Sequence, residues 1–205
     1  MSDISTHYGG SILAMVGKDC LTIVNDKRLG SGAITVSKSF TKIYTLSPRL
    51  FFGFTGLISD SQSLYKKIRK NYNLFAQDNN REMEPCELSN MISFMLYSKR
   101  LQPYYVSSIV CGMSSDNKPY LSSMDCIGAM KETQEFAAVG TADNNLKGVS
   151  EALFVPNMDE DNLFVTSVQA FLNSVDRDAL SGWGCECFII KPGEYKVRSL
   201  RGRCD

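Results

Sequence analysis

At 205 residues, with no Gly/Ser-rich or charge-rich linker to divide it, the chain is long enough to bury a sizeable core and reads as a single domain over residues 1–205. Lys plus Arg and Asp plus Glu each number 22, which removes the electrostatic footprint of a nucleic-acid or anionic-membrane binder and leaves proteins as the expected partners. Apolar runs such as Leu50 to Phe54 and Phe188 to Ile190 are far shorter than the roughly 20 residues that cross a bilayer.

Two apolar, β-branched stretches, Ser11 to Val16 and Leu21 to Val24, flank Gly17-Lys18-Asp19, whose residue types suit a tight turn, and predict an opening β-hairpin. Ala33 to Val36, Lys42 to Leu46 and Leu50 to Phe54 follow as strands bounded by Gly, Ser or Pro. From Ser59 the period lengthens. Leu64, Ile68, Tyr72 and Phe75 recur at helical spacing, as do Leu88, Met91, Ile92 and Met95 after Pro85. Strands return at Ser107 to Met113, Tyr120 to Met124 and Glu135 to Val139, with Asp116-Asn117-Lys118-Pro119 as a turn. Beyond Gly140, two helical stripes run through Leu146, Val149 and Leu153 and through Phe164, Val168, Phe171 and Val175. Strands at Cys185 to Ile190 and Tyr195 to Leu200 close the chain. Blocks of strands separated by helix pairs predict an α+β, four-layer αββα sandwich, with two sheets face to face and helices on each outer face. The helical stripes read as core packing and give no reason to expect a cofactor.

Residues 1–8 are polar, with neither the basic start nor the apolar stretch of a secretory signal, so a cytoplasmic or nuclear location is expected. In that reducing setting the seven cysteines, Cys20, Cys86, Cys111, Cys126, Cys185, Cys187 and Cys204, are expected to stay thiols. Cys185 and Cys187 point the same way on a strand but lack a matching pair of ligands, so no metal site is expected. His7 is the only histidine and falls in a segment expected to be flexible and solvated, which leaves a Ser-His-Asp or Cys-His triad without a base.

Three ordered patterns span almost the whole chain. The first is Gly9-Gly10-Ser11-Ile12-Leu13-Ala14-Met15 followed by Val24-Asn25-Asp26-Lys27-Arg28; the second is Lys42-Ile43 with Gly53-Phe54-Thr55-Gly56; the third is Asp176-Arg177-Asp178-Ala179-Leu180-Ser181-Gly182-Trp183-Gly184. Each is commonplace alone, but their joint order and spacing resemble the beta subunits of the proteasome core, which have the fold of N-terminal-nucleophile hydrolases. Tyr104 to Gly112, Asp125-Cys126-Ile127-Gly128 and Glu151 to Asn157 point further, to one particular eukaryotic branch of that family.

Catalytic members of the family carry a threonine at the mature N-terminus, whose hydroxyl attacks a peptide carbonyl while its freed amine helps move the proton. By the resemblance, Asp26 and Lys42, sixteen residues apart, match the family's aspartate and lysine. Counting the same interval back from Asp26 reaches Gly10, which has no side chain to act as nucleophile. Asp178 and Ser181 match the supporting pair, and Thr141 stands where many active members have a serine. Ser11 is the competing candidate, since cleavage after Gly10 would give it a free amine and a hydroxyl. Strand alternation argues that a nucleophile shifted by one residue turns away from the lysine. Asp26 and Lys42 then read as a structural ion pair, and Asp178, Ser181 and Gly182 as a helix end and turn.

Three functions compete: a non-catalytic structural ring subunit, an active N-terminal serine hydrolase, and an alpha-type ring subunit. The third expects a helical extension before the first strand, where only about ten residues stand. The first is preferred, with no catalytic, cofactor-binding or metal-binding residue of its own. The resemblance implies beta neighbours on both sides, an alpha ring and an opposite beta ring as partners, in ubiquitin-dependent and other intracellular protein degradation. It also implies that Asp125 and Cys126 line the substrate groove of an adjacent catalytic subunit, the one preferring basic side chains. The alternative for Asp125 is a solvated turn aspartate.

Overall fold

The computed structural model describes residues 4–203; Cys204 lies outside them. After a 3-10 turn at Ile4–Thr6 the chain runs β1 (Ser11–Val16), β2 (Leu21–Asp26), β3 (Leu29–Ser31), β4 (Ile34–Ser37), β5 (Ile43–Ser47) and β6 (Leu50–Gly56). Helices α1 (Ile58–Asn79) and α2 (Pro85–Tyr97) follow, then β7 (Val106–Met113), β8 (Pro119–Met124), β9 (Met130–Thr133) and β10 (Phe136–Gly140). Helices α3 (Asp143–Leu153) and α4 (Glu160–Val175) lead to β11 (Cys185–Lys191) and β12 (Glu194–Leu200).

One antiparallel sheet has the order β10-β1-β2-β11-β12, the other β5-β6-β7-β8-β9, and β3 with β4 forms a separate hairpin. In the opening hairpin Ile12 pairs with Asn25 and Val16 with Leu21, and the Gly17 N–H donates to the Cys20 carbonyl at 2.8 Å. Every residue of β1 and β2 is buried. Their alternation explains why: Leu13, Met15 and Val24 face the α3–α4 layer, while Ile12, Ala14, Val16, Leu21 and Ile23 face the second sheet. A strand covered on both faces reads as an unbroken apolar run, which is how these two appear in the sequence.

Three apolar clusters define the four layers. Leu146, Leu163, Phe171 and Val175 seal α3 and α4 onto the first sheet. Ile12, Ile23, Phe51, Ile109 and Ile190 interleave between the sheets. Leu64, Ile68, Leu88, Ile92 and Leu96 seat α1 and α2 against Leu50, Phe52 and Val110. Each fully buried aliphatic or aromatic side chain contributes about 1.5–3 kcal/mol, so every interface is held by several such terms. This is the expected αββα sandwich.

Local chemistry sets the helix limits. Pro85 occupies the first turn of α2, and Glu84 and Glu87 cap it reciprocally, the Glu84 N–H reaching Glu87 Oε2 at 2.9 Å. Asn80 ends α1 in the left-handed conformation at φ 51°. Three details depart from the sequence reading. Strand β2 runs on to Asp26, carried past its apolar stretch by pairing with β11, where Asp26 lies opposite Cys185. Strands β3 and β9 lie outside the sequence reading, being three and four residues long, β9 largely exposed and β3 mixed in burial, with no apolar alternation to announce them. Leu153 is exposed instead of completing the α3 stripe, because the helix ends there and Phe154 turns in against Phe136, ring centroids 5.6 Å apart.

Candidate functional site

The head of β1, the end of β2, the approach to β5 and the loop between α4 and β11 converge on one buried knot. Asp26 is fully buried and uses both carboxylate oxygens: Oδ1 accepts the Ser11 N–H at 2.9 Å and faces Lys42 Nζ at 2.9 Å, while Oδ2 accepts the N–H of Arg28 at 3.2 Å and of Gly182 at 3.3 Å. Lys42, 3% exposed, also donates to the Asp26 and Arg28 carbonyls at 3.1 and 2.7 Å. Lys42 lies in the layer between the sheets because β5 belongs to the second sheet, whereas Asp26 belongs to the first. The expected ion pair is present and ties the two sheets together.

Position 10 faces this lysine, for a Cβ placed on Gly10 would lie 2.9 Å from Lys42 Nζ. Ser11 turns the other way. Its Oγ lies 3.0 Å from Ser181 Oγ and accepts the Ala142 N–H at 2.9 Å, and it is fully buried. Thr141 Oγ1 donates to Asp178 Oδ2 and lies 2.9 Å from Ser181 Oγ, so the supporting pair serves Ser11 and the start of α3 rather than Lys42. Asp178 also shapes the turn after α4, its N–H on the Val175 carbonyl at 2.9 Å and its Oδ1 on the Leu180 N–H at 3.1 Å. Among the described residues, the hydrogen-bond partners of Ser11 Oγ are another hydroxyl, Ser181 Oγ, and the Ala142 N–H.

Asp125 and Cys126 follow β8 in a tight turn. Asp125 Oδ1 accepts the N–H groups of Ile127 at 3.0 Å and Ala129 at 2.8 Å, and the residue is exposed. The turn role expected as the alternative is therefore present. The same turn borders a cleft of about 420 Å³ lined also by Thr6, Gly10, Tyr105 and Thr141. Asp125 and Gly10 thus border the same cleft.

Other predicted positions behave differently. His7 is half-buried rather than loose: its Nε2 lies 3.4 Å from Ser31 Oγ, its ring meets Tyr8 edge-on, and its carbonyl accepts the Gly32 N–H at 2.8 Å. Ser31 at the end of β3 and Gly32 just beyond it supply two of those partners, and no apolar alternation marks β3 in the sequence. Cys185 and Cys187 both point into the apolar layer beneath α4; burial pushes the Cys185 thiol up to about 11 and the Cys187 thiol up as well, which disfavours the thiolate that metal binding requires. Burial likewise raises Cys20 and Cys111, whereas Cys86 is exposed and Cys126 half-buried.

Arg28 lies in the first of the ordered motifs, and its residue type alone announces no role there. It is 3% exposed and braces the knot, Nη1 on the Leu180 carbonyl at 2.8 Å, Nη2 on the Gly32 carbonyl at 2.9 Å and Nε on Thr35 Oγ1 at 3.2 Å. Gly30, two residues on, leaves room for the guanidinium, since a Cβ there would lie 2.3 Å from Nη1, but nothing in the sequence marks this close approach. Trp183, left-handed at φ 63°, stacks under Lys38 with Nζ 3.8 Å from the ring centre.

A family profile described as proteasome subunit matches residues 6–190. Proteasome subunit beta type-3 of Saccharomyces cerevisiae is 42% identical over 100% of both chains. The protein of the same name from Dictyostelium discoideum is 41% identical over 98% of this chain and 99% of its own. Proteasome subunit beta type-3-B of Arabidopsis thaliana is 40% identical over the same shares.

Proposed function

The chain belongs to the proteasome subunit family, as a beta-type member, and on that premise we propose that it is a non-catalytic component of the 20S core that builds the ring and performs no peptide hydrolysis itself. The observation that carries this reading is Gly10. It faces Lys42 at the place where an N-terminal nucleophile would have to stand, and it offers no hydroxyl. Ser11 does not replace it: the hydroxyl points to Ser181 and the Ala142 N–H, on the side away from the lysine.

Membership implies assembly with other proteasome subunits. Beta neighbours on both sides, the alpha ring and the opposite beta ring are the partners of this reading, and cytoplasm and nucleus its location. Exposed apolar side chains support large contact surfaces, notably Phe94 at 74% and Leu101 at 90% near the end of α2. Among the described residues no helix is long and apolar enough to cross a membrane.

The test is covalent. Assembled particles treated with a threonine-directed inhibitor are mapped by peptide mass spectrometry, and no adduct is expected on any peptide containing Gly10 or Ser11. An adduct on Ser11, or a mature chain beginning at Ser11, overturns the non-catalytic reading.

A second reading is supported by the exposure of Asp125 at the cleft. Its carboxylate would favour a basic substrate side chain in a neighbouring catalytic subunit, with Cys126 beside it.

A further inference from the structure

Position 10 lacks more than a hydroxyl. Gly10 is buried with φ +110°, a conformation that a β-branched L-residue does not adopt without strain. A Cβ there would lie 2.2 Å from Lys42 Cε, 2.9 Å from Nζ and 3.0 Å from Cδ. A lysine tail usually swings aside from such a contact at little cost. This one is held, since its ammonium donates to Asp26 Oδ1, the Asp26 carbonyl and the Arg28 carbonyl, and almost none of the side chain reaches solvent.

The backbone has equally little room to yield. The Gly10 carbonyl accepts the Thr141 N–H at 3.1 Å and lies 2.2 Å from where a Gly140 Cβ would sit. On the other side, a Cβ on Gly9 would meet the Leu180 carbonyl oxygen at 2.0 Å. Three glycines thus let backbone pack against backbone at the head of β1. Beside Lys42, the space bounded by Phe40, Tyr44, Phe54 and Ile58 holds a free volume of about 10 Å³, room for no more than about one water molecule.

We propose that the Lys42 side chain fills the volume a nucleophile would need, so that Gly10 is a positioning residue for the buried Lys42–Asp26 pair and the site cannot be re-armed by one substitution. The proposal rests on the reading of Gly10 as the vacant nucleophile position. It goes beyond that reading in making the vacancy a packing requirement. A side chain at position 10 displaces the ammonium from Asp26 or bends the head of β1, although Gly10 also borders the open cleft of about 420 Å³.

The test uses whole particles in which this subunit is replaced by Gly10→Thr, Gly10→Ala, Lys42→Ala or the Gly10→Ala/Lys42→Ala pair. Incorporation into the particle, thermal inactivation and labelling by a threonine-directed inhibitor are measured. Gly10→Thr is expected to stay unlabelled and to incorporate several-fold less than the unsubstituted chain. Gly10→Ala is expected to lower incorporation and thermal resistance, and the extra loss it causes is expected to shrink when Lys42 is already truncated, because the new methyl then meets vacated volume. A Gly10→Thr subunit that incorporates normally or takes the label would overturn the proposal. So would a Gly10→Ala loss of equal size with and without Lys42, since that would leave only backbone strain. Labelling of the unsubstituted chain at Ser11 would instead strike the non-catalytic reading, and the coupling between positions 10 and 42 would still decide the packing claim.

Discussion

Asp26 and Asp125 stand at the ends of strands in different sheets, and both use their carboxylates to hold backbone N–H groups. Asp26 is wholly buried and fastens Ser11, Arg28 and Gly182 as well as Lys42, whereas Asp125 is exposed and fastens only its own turn, through Ile127 and Ala129. The difference teaches that a motif inherited from chemistry can survive as architecture. Once Lys42 is committed to three oxygens in a dry layer, the pair is a tie between sheets, and the group still able to meet an outside charge is the one in the turn.

Truncating the buried partner should give the largest effect. Asp26→Ala leaves the Lys42 ammonium unpaired in the interior, a loss of roughly 3–5 kcal/mol, which should nearly abolish incorporation of the subunit. Asp125→Ala should incorporate normally; equal behaviour of the two variants in particle yield would erase the contrast. A smaller effect is expected from Asp125→Lys in assembled particles. Cleavage after Arg or Lys should fall roughly two- to fivefold, the scale of an exposed ion pair, chiefly through weaker substrate binding and less so at high salt. Other cleavages should be unchanged, and a uniform fall in all activities would sink the proposed contribution to a neighbour's specificity.

The smallest effect concerns two thiols flanking the same two sites. Cys185 lies opposite Asp26 in the ladder, and burial lifts its thiol from 9.0 to about 11. The neutral thiol therefore contributes stability that is fully present below about pH 9 and is lost as pH rises through about 11. Cys185→Ala should flatten the alkaline limb of a thermal-stability profile slightly, and a small alkylating reagent should modify Cys126 well before Cys185. Equal rates at the two cysteines would contradict the burial assigned to the knot.

How much of this was legible in the sequence follows from what each signal depends on. The long strands and the four helices announce themselves because burial repeats along them, at every residue in β1 and β2 and every third or fourth in α1 and α4. Strands β3 and β9 do not, since their pairing depends on neighbours rather than on an apolar face of their own. Gly10, Asp26 and Lys42 were legible through the family resemblance, whose interval they match, and strand alternation separated Gly10 from Ser11. Arg28 was not, because its role is set by carbonyls of Leu180 and Gly32, and a carbonyl carries no signature in residue type. The backbone strain at Gly9, Gly10 and Gly140 was likewise hidden, as a glycine in a sequence does not say whether it is there for a turn or for a close approach.

Strand β12 forms the outer edge of its sheet, with one side of its backbone beyond the ladder to β11 and nearly all of its residues exposed. A subunit made one at a time must wait for its neighbours, and during that wait an open edge is a template on which another copy can add as a further strand. Glu194, Lys196 and Arg198 stand at alternate positions along this edge, charged residues of the kind that blunt an open strand. Charge along β12 is expected to make this edge a poorer template for strand addition than an apolar edge of the same length.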